Sequence, residues 1–119
     1  RAKNFKLFLS RLDKNKFFTD YLIEGNSNYA FPLILKTKSF RNRDRFEKYL
    51  TKNKIEFRRG NAGGGNQMRQ PYLKKIIRFK NFNEFQNVEH VHHFGYYIGN
   101  FPTLSKKNII KLVKIINNY

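Results

Sequence analysis

Apolar residues come in bursts along this chain, and their spacing changes from helical to extended and back. Phe5, Leu7, Phe8, Leu9 and Leu12 recur at helical spacing between Lys3, Lys6, Arg11 and Lys14, which predicts an amphipathic helix over residues 1 to about 18. Glu24-Gly25-Asn26-Ser27-Asn28 is turn chemistry. The apolar run Tyr29 to Leu35 is short enough to be a buried strand, and Pro32, which has no N–H for a ladder, puts it at an edge or a bulge. Phe46, Tyr49 and Leu50 predict a second helix capped by Ser39 or Asn42. Ile55-Glu56-Phe57 alternates like a second strand, and residues 59 to 71 read as a loop with three consecutive glycines, closed by Pro71. A short helix is expected from about 84 to 93, then a third strand over Gly95-Tyr96-Tyr97-Ile98. Beyond Pro102 the last helix is capped by Ser105, with Leu104 and Ile109 spaced as a hydrophobic staple. Its apolar face is Ile109, Leu112, Val113 and Ile116.

That order of elements predicts an α+β fold: a small, mostly antiparallel sheet of three to four strands with helices packed on one face. The 119 residues fit a single domain able to bury a core, with residues 1–20 as a leading helix. No apolar run approaches the ~20 residues of a membrane span, and the start lacks the pattern of a signal peptide. With no cysteine there is no disulfide framework and no thiolate chemistry. A cytoplasmic protein with no membrane partner is the expectation. The opening on Arg1 suggests a piece of a longer protein.

Charge changes the picture most. Twenty-five Lys and Arg against eight Asp and Glu give a formal +17, a field that attracts polyanions. Enrichment in Lys and Asn from a low-GC genome accounts for part of the excess but not for the scarcity of acids. A small basic nucleic-acid-binding module is therefore the alternative reading, with non-specific polyanion binding as its minimum. Against it, the aromatics fall at core-spaced positions and no known nucleic-acid motif is present.

Candidate chemistry concentrates in Arg58-Arg59-Gly60 and Gly65-Asn66-Gln67-Met68-Arg69-Gln70-Pro71. Glycines let backbone amides approach an anion, and arginines fork onto phosphate or carboxylate oxygens. The loop matches neither phosphate-loop nor dinucleotide signatures. His90, His92 and His93 lack the spacing of a zinc site and read as a polar helix end. The carboxylates are scattered, so no acid–base pair and no complete active site is visible.

Ile55 to Arg59 followed by Gly65-Asn66-Gln67-Met68-Arg69-Gln70-Pro71-Tyr72 resembles the GIxxRxxxxGNxxRQP stretch of the DegT/DnrJ/StrS family of pyridoxal-phosphate-dependent sugar aminotransferases and dehydratases. Gly95 to Pro102 with the helix after it is similar to that family's final strand and helix. Tyr29 to Leu35 with Arg43 to Leu50 resembles the first strand and helix of its C-terminal small domain, and Arg1 to Leu9 the helix joining the lobes. The resemblance covers nearly the whole chain, and the Gly-Asn-x-x-Arg-Gln-Pro run points to the branch acting on nucleotide-linked 4-keto-6-deoxy sugars, 3-dehydratases included. It implies the C-terminal lobe of a fold-type I enzyme in deoxysugar and polysaccharide biosynthesis, homodimeric when complete. Pyridoxal or pyridoxamine 5'-phosphate would be bound mainly by a large domain, and this lobe would close over the nucleotide-sugar. The site residues implied are Arg58, Arg59 and Arg69 for diphosphate or carboxylate oxygens, with Asn66 and Gln70 contacting sugar or fixing the loop. Neighbours on a strand alternate faces, so at most one of Arg58 and Arg59 is expected to meet the ligand. The chain by itself is expected to be inactive.

Overall fold

A computed structural model describes residues 1–76 and 82–119. Five α-helices and three strands follow in the order α1 (Ala2–Arg11), β1 (Ala30–Ile34), α2 (Phe40–Lys52), β2 (Arg58–Arg59), α3 (Pro71–Ile76), α4 (Gln86–Phe94), β3 (Gly95–Gly99) and α5 (Lys106–Asn117). Short 3-10 turns lie at Gln67–Arg69 and Phe82–Phe85. The sheet has the order β1-β3-β2 with both pairings antiparallel, so Pro32 sits in a strand at one edge of the ladder, where a missing N–H is tolerated.

Period-two alternation sorts the strand residues between two faces. Phe31 lies opposite Ile98 and Leu33 opposite Tyr96, and all four are buried against the helices. Phe8 of α1 stacks on Phe31 with ring centroids 4.5 Å apart, and Phe46 of α2 meets Tyr96 edge-on at 5.6 Å. From α5 come Ile109, Val113 and Ile116, all buried. Five fully buried phenylalanines, Phe5, Phe8, Phe17, Phe31 and Phe46, give this core most of its mass, at about 1.5–3 kcal/mol each. The opposite face keeps Pro32, Ile34 and Tyr97 half-buried, with no helix layer of comparable extent over it among the described residues. The α+β class with its antiparallel sheet of three strands is as expected.

Three boundaries differ from the sequence reading. The first helix ends at Arg11 and not near residue 18. Asp13 Oδ1 accepts the Asn15 N–H at 2.9 Å in a turn, and Phe17 then bridges to Leu35 at the end of β1. The second strand is Arg58–Arg59 and not Ile55 to Phe57. The chain leaves α2 through Lys54 at φ +58°, and Ile55 and Phe57 pack on the core during the approach to β3. The glycine loop, expected to run from 59 to 71, folds at its end into the 3-10 turn and α3, whose first residue Pro71 has its φ preset for that position. Ser39, not Asn42, caps α2 by accepting the Asn42 N–H at 3.3 Å, and Ser105 caps α5 by accepting that of Asn108 at 3.2 Å. Of the described residues, no helix is long and apolar enough to cross a membrane.

Candidate functional site on the uncovered sheet face

β2 contributes only two residues, and they part company. Arg59 pairs with Tyr96, on the helix side of the sheet, and forks onto Glu47 of α2 with Nε–Oε1 2.9 Å and Nη2–Oε2 2.5 Å. That carboxylate holds the Arg59 guanidinium above its ordinary pKa, and it also accepts the Tyr96 hydroxyl at 3.0 Å. Burial, then the Glu47 charge, pushes the Tyr96 phenol far above its usual range. Arg58 pairs with Tyr97 on the other face and is exposed there. The two arginines that sequence reading could not separate are thus divided by the pleat: Arg59 is taken up by Glu47, and Arg58 faces the open side.

Around Arg58 the edge of the sheet is hollowed, between β3, residues 54 to 58 and α5. A groove of about 380 Å³ is lined by Arg58, Lys54, Tyr97, Phe101 and Leu112 among others. A second, of about 440 Å³, runs from Pro32 and Ile34 past Tyr97 to Gly60 and Gly63 of the glycine loop. Tyr29 and Tyr97, edge to face at 6.1 Å, border both grooves. The two grooves share an aromatic floor, with exposed Lys54, Glu56 and Arg58 at one end and the glycine loop at the other.

The loop is held against α4. Gly60 donates its N–H to Gly95 O at 2.6 Å, and a methyl group at Gly60 would fall 2.6 Å from Val91 O. Asn66 is buried to 1% exposure. Its N–H reaches His92 Nδ1 at 3.0 Å, its Nδ2 donates to Glu89 Oε2 at 2.7 Å, and its Oδ1 accepts the Met68 N–H at 3.0 Å. Arg69 Nε donates to both oxygens of Glu89 at 3.0 Å, and its Nη2 bonds Glu89 Oε1 as well. Glu89 also meets His93 Nε2 at 3.0 Å. The Arg69 guanidinium, helped by Asn66 and His93, holds the Glu89 carboxyl down to about 2 against the opposing effect of burial. Gln70 Nε2 donates to Gly64 O at 2.7 Å.

The five residues expected at the site therefore part three ways. Asn66, Arg69 and Gln70 are tied into one network that shapes the loop, while Arg58 stands apart on the open sheet face and Arg59 lies across the sheet. Glu89, Tyr29 and Tyr97 were not singled out by sequence reading, and His92 was read there only as part of a polar helix end. The signal for Glu89 was available: with His92 and His93 it makes an i, i+3, i+4 set, which places three polar groups on one side of a helix. Among the described residues no three His, Asp or Glu converge as metal ligands would.

No family model and no curated protein matches the chain by sequence. Its fold does match solved structures. A crystal structure of a GDP-4-keto-6-deoxymannose-3-dehydratase with a trapped PLP–glutamate geminal diamine aligns over 97% of this chain at TM-score 0.76 and 22% identity. The E. coli GDP-4-keto-6-deoxy-D-mannose-3-dehydratase with bound hydrated PLP aligns over 96% at TM-score 0.75 and 23% identity. The chain has the fold of part of these dehydratases. It spans 30% and 29% of their lengths. The likeness extends to three dimensions the resemblance carried by the Gly-Asn-x-x-Arg-Gln-Pro run.

Both matched structures hold pyridoxal phosphate, an aldehyde cofactor that a lysine amine can seat covalently once desolvation makes it nucleophilic. Every lysine here whose side chain is described is exposed except half-buried Lys16, and Lys16 Nζ is bonded to Asn117 O at 2.6 Å. These residues do not fit the covalent seat of that cofactor.

Proposed function

We propose that the chain is the small lobe of a pyridoxal- or pyridoxamine-phosphate-dependent enzyme acting on nucleotide-linked 4-keto-6-deoxy sugars. The observation that carries this reading is the alignment of 97% of the chain on a 3-dehydratase at TM-score 0.76. It favours C3 dehydration over amino transfer. On this reading a large domain of the same enzyme holds the cofactor, the complete enzyme is a cytoplasmic homodimer, and this lobe covers the nucleotide-sugar.

The residues here bind and orient; none performs the bond-breaking step. Arg58, exposed on the groove floor beside Tyr97, presents a planar fork of N–H donors suited to the diphosphate. Tyr29 and Tyr97 give the nucleotide an apolar rest with polar ends. Asn66, Arg69 and Gln70 keep the loop beside the groove in one shape, and Arg59 fastens β2 to α2. Such lobes exclude water and fix the substrate's pose when they close.

The test is Arg58→Ala in the complete enzyme. An arginine donating to a diphosphate makes bonds worth about 1.5–3 kcal/mol, so kcat/KM falls roughly ten- to a hundredfold. The melting temperature stays within about a degree, since exposed substitutions change stability by ~0.5 kcal/mol or less. Unchanged efficiency removes Arg58 from the site. Failure of the complete enzyme to turn over any nucleotide-linked 4-keto-6-deoxy sugar, with cofactor present, removes the reading itself.

A further inference from the structure

The contact between His92 and the Asn66 backbone depends on an acceptor that a proton can remove. A backbone N–H can only donate, so at 3.0 Å the His92 Nδ1 must accept, which requires an unprotonated nitrogen there. Gly65 packs against the same nitrogen, and a methyl group there would fall 2.2 Å from Nδ1. Asn66 in turn sets the turn that carries Arg69: Asn66 Oδ1 accepts from Met68 N at 3.0 Å and Asn66 O from Arg69 N at 3.0 Å. A proton on Nδ1 would put two donors face to face and break the chain of contacts at its first link.

We infer that His92 is a positioning residue for the glycine loop, holding Asn66 and through it Arg69 in place only in its neutral form, so that nucleotide binding at this site weakens on acidification. The inference rests on the proposed nucleotide-sugar reading for its ligand, but not for the loop contact itself. The charged and titratable groups facing the ring are His93 and Glu89 on α4 and Arg69 on the loop. Burial first, then the charges of His93 and Arg69, lowers the His92 pKa below its ordinary 6.5, while Glu89 opposes them. Glu89 stays ionised down to about 2, so it does not titrate in the same window. His93 Nε2 lies 3.0 Å from Glu89 Oε1 and 3.4 Å from Arg69 Nη2.

The experiment follows the Asn66 amide by hydrogen exchange from pH 8 to 4.5, normalised to the intrinsic base-catalysed rate, in wild type, His92→Asn and His92→Phe. GDP binding is measured alongside. His92→Asn puts a carbonyl oxygen near the place of Nδ1, an acceptor that no proton can remove. Wild type should lose about tenfold of its Asn66 protection below pH 6.5, as one neutral hydrogen bond is lost. His92→Phe should be unprotected throughout, and His92→Asn protected throughout. GDP affinity should follow the same three patterns. A flat wild-type profile, or the same step in His92→Asn, overturns the inference. Full Asn66 protection in His92→Phe does so too. If the Asn66 profile steps as expected but GDP binds nowhere at any pH, the positioning role stands and the nucleotide-sugar reading falls.

Discussion

Glu89 accepts from Arg69, Asn66 and His93 at once, and its low pKa of about 2 makes it a second, deeper acid sensor. Its folded pKa lies below the unfolded 4.5, so as pH falls the unfolded chain takes up the proton first. The stability it contributes is complete above about pH 4.5 and is lost as pH falls towards 2. Chemical denaturation at pH 7, 4 and 2.5 should show this loss in wild type and a much flatter profile in Glu89→Gln. At neutral pH, Arg69→Ala should cost about 1–2 kcal/mol, since the pair is half-buried and forked, not fully solvated. The glycines offer a matched control. Gly65 has φ +61° and no room for a methyl group, whereas Gly63 has nothing within 4 Å of its would-be Cβ. Gly65→Ala should destabilise by about 2 kcal/mol or more, whereas Gly63→Ala should be neutral or stabilise by a few tenths, read from urea melts. A sequence shows three glycines in a row without telling them apart. The difference arises from where His92 lies, 27 positions from Gly65 in the chain and adjacent to it in space.

At the level of elements, helices with their own start signals were legible and short pairings were not. Ser39 and Ser105 each cap a helix in the place their hydroxyls predict, and replacing either by Ala should cost about 1 kcal/mol in thermal melts. β1 and β3 were readable because five paired residues leave an apolar run in the sequence. β2 has two residues, both arginines, and nothing in Arg58-Arg59 announces a strand. Ile55 and Phe57 alternate as a strand would, yet they only pack on the core on the way to it. The early end of α1 follows from Phe17, which is fully buried beside Phe46 at the end of the sheet. That position needs an extended backbone. Periodicity counts apolar residues but does not know which neighbour will claim them.

At the scale of the whole molecule, the charge is arranged and not merely abundant. Exposed cations stud the helix layer: Lys3, Lys6, Arg11 and Lys14 around α1, Arg41, Arg45, Lys48 and Lys52 on α2, Lys106, Lys107, Lys111 and Lys114 on α5. Asp44 is the one exposed acid on those helices. Heparin or duplex DNA should therefore bind through this layer, without sequence preference, and release steeply as salt rises. Tight, sequence-selective binding at high salt would revive the nucleic-acid reading. The same layer has a temporal side. α1 lies along α5, and Asn117 near the end of α5 bonds the Asp13 N–H and the Arg11 carbonyl, partners 104 and 106 positions away. During synthesis at about 5–20 residues per second, α1 leaves the ribosome roughly 5–20 s before α5 can reach it. Phe5 and Phe8 wait through that interval without their lid of Ile109, Val113 and Ile116. Nascent chains stalled before Lys106 should be sensitive to protease and retained by holdase chaperones, and those stalled after Tyr119 has cleared the tunnel should be neither.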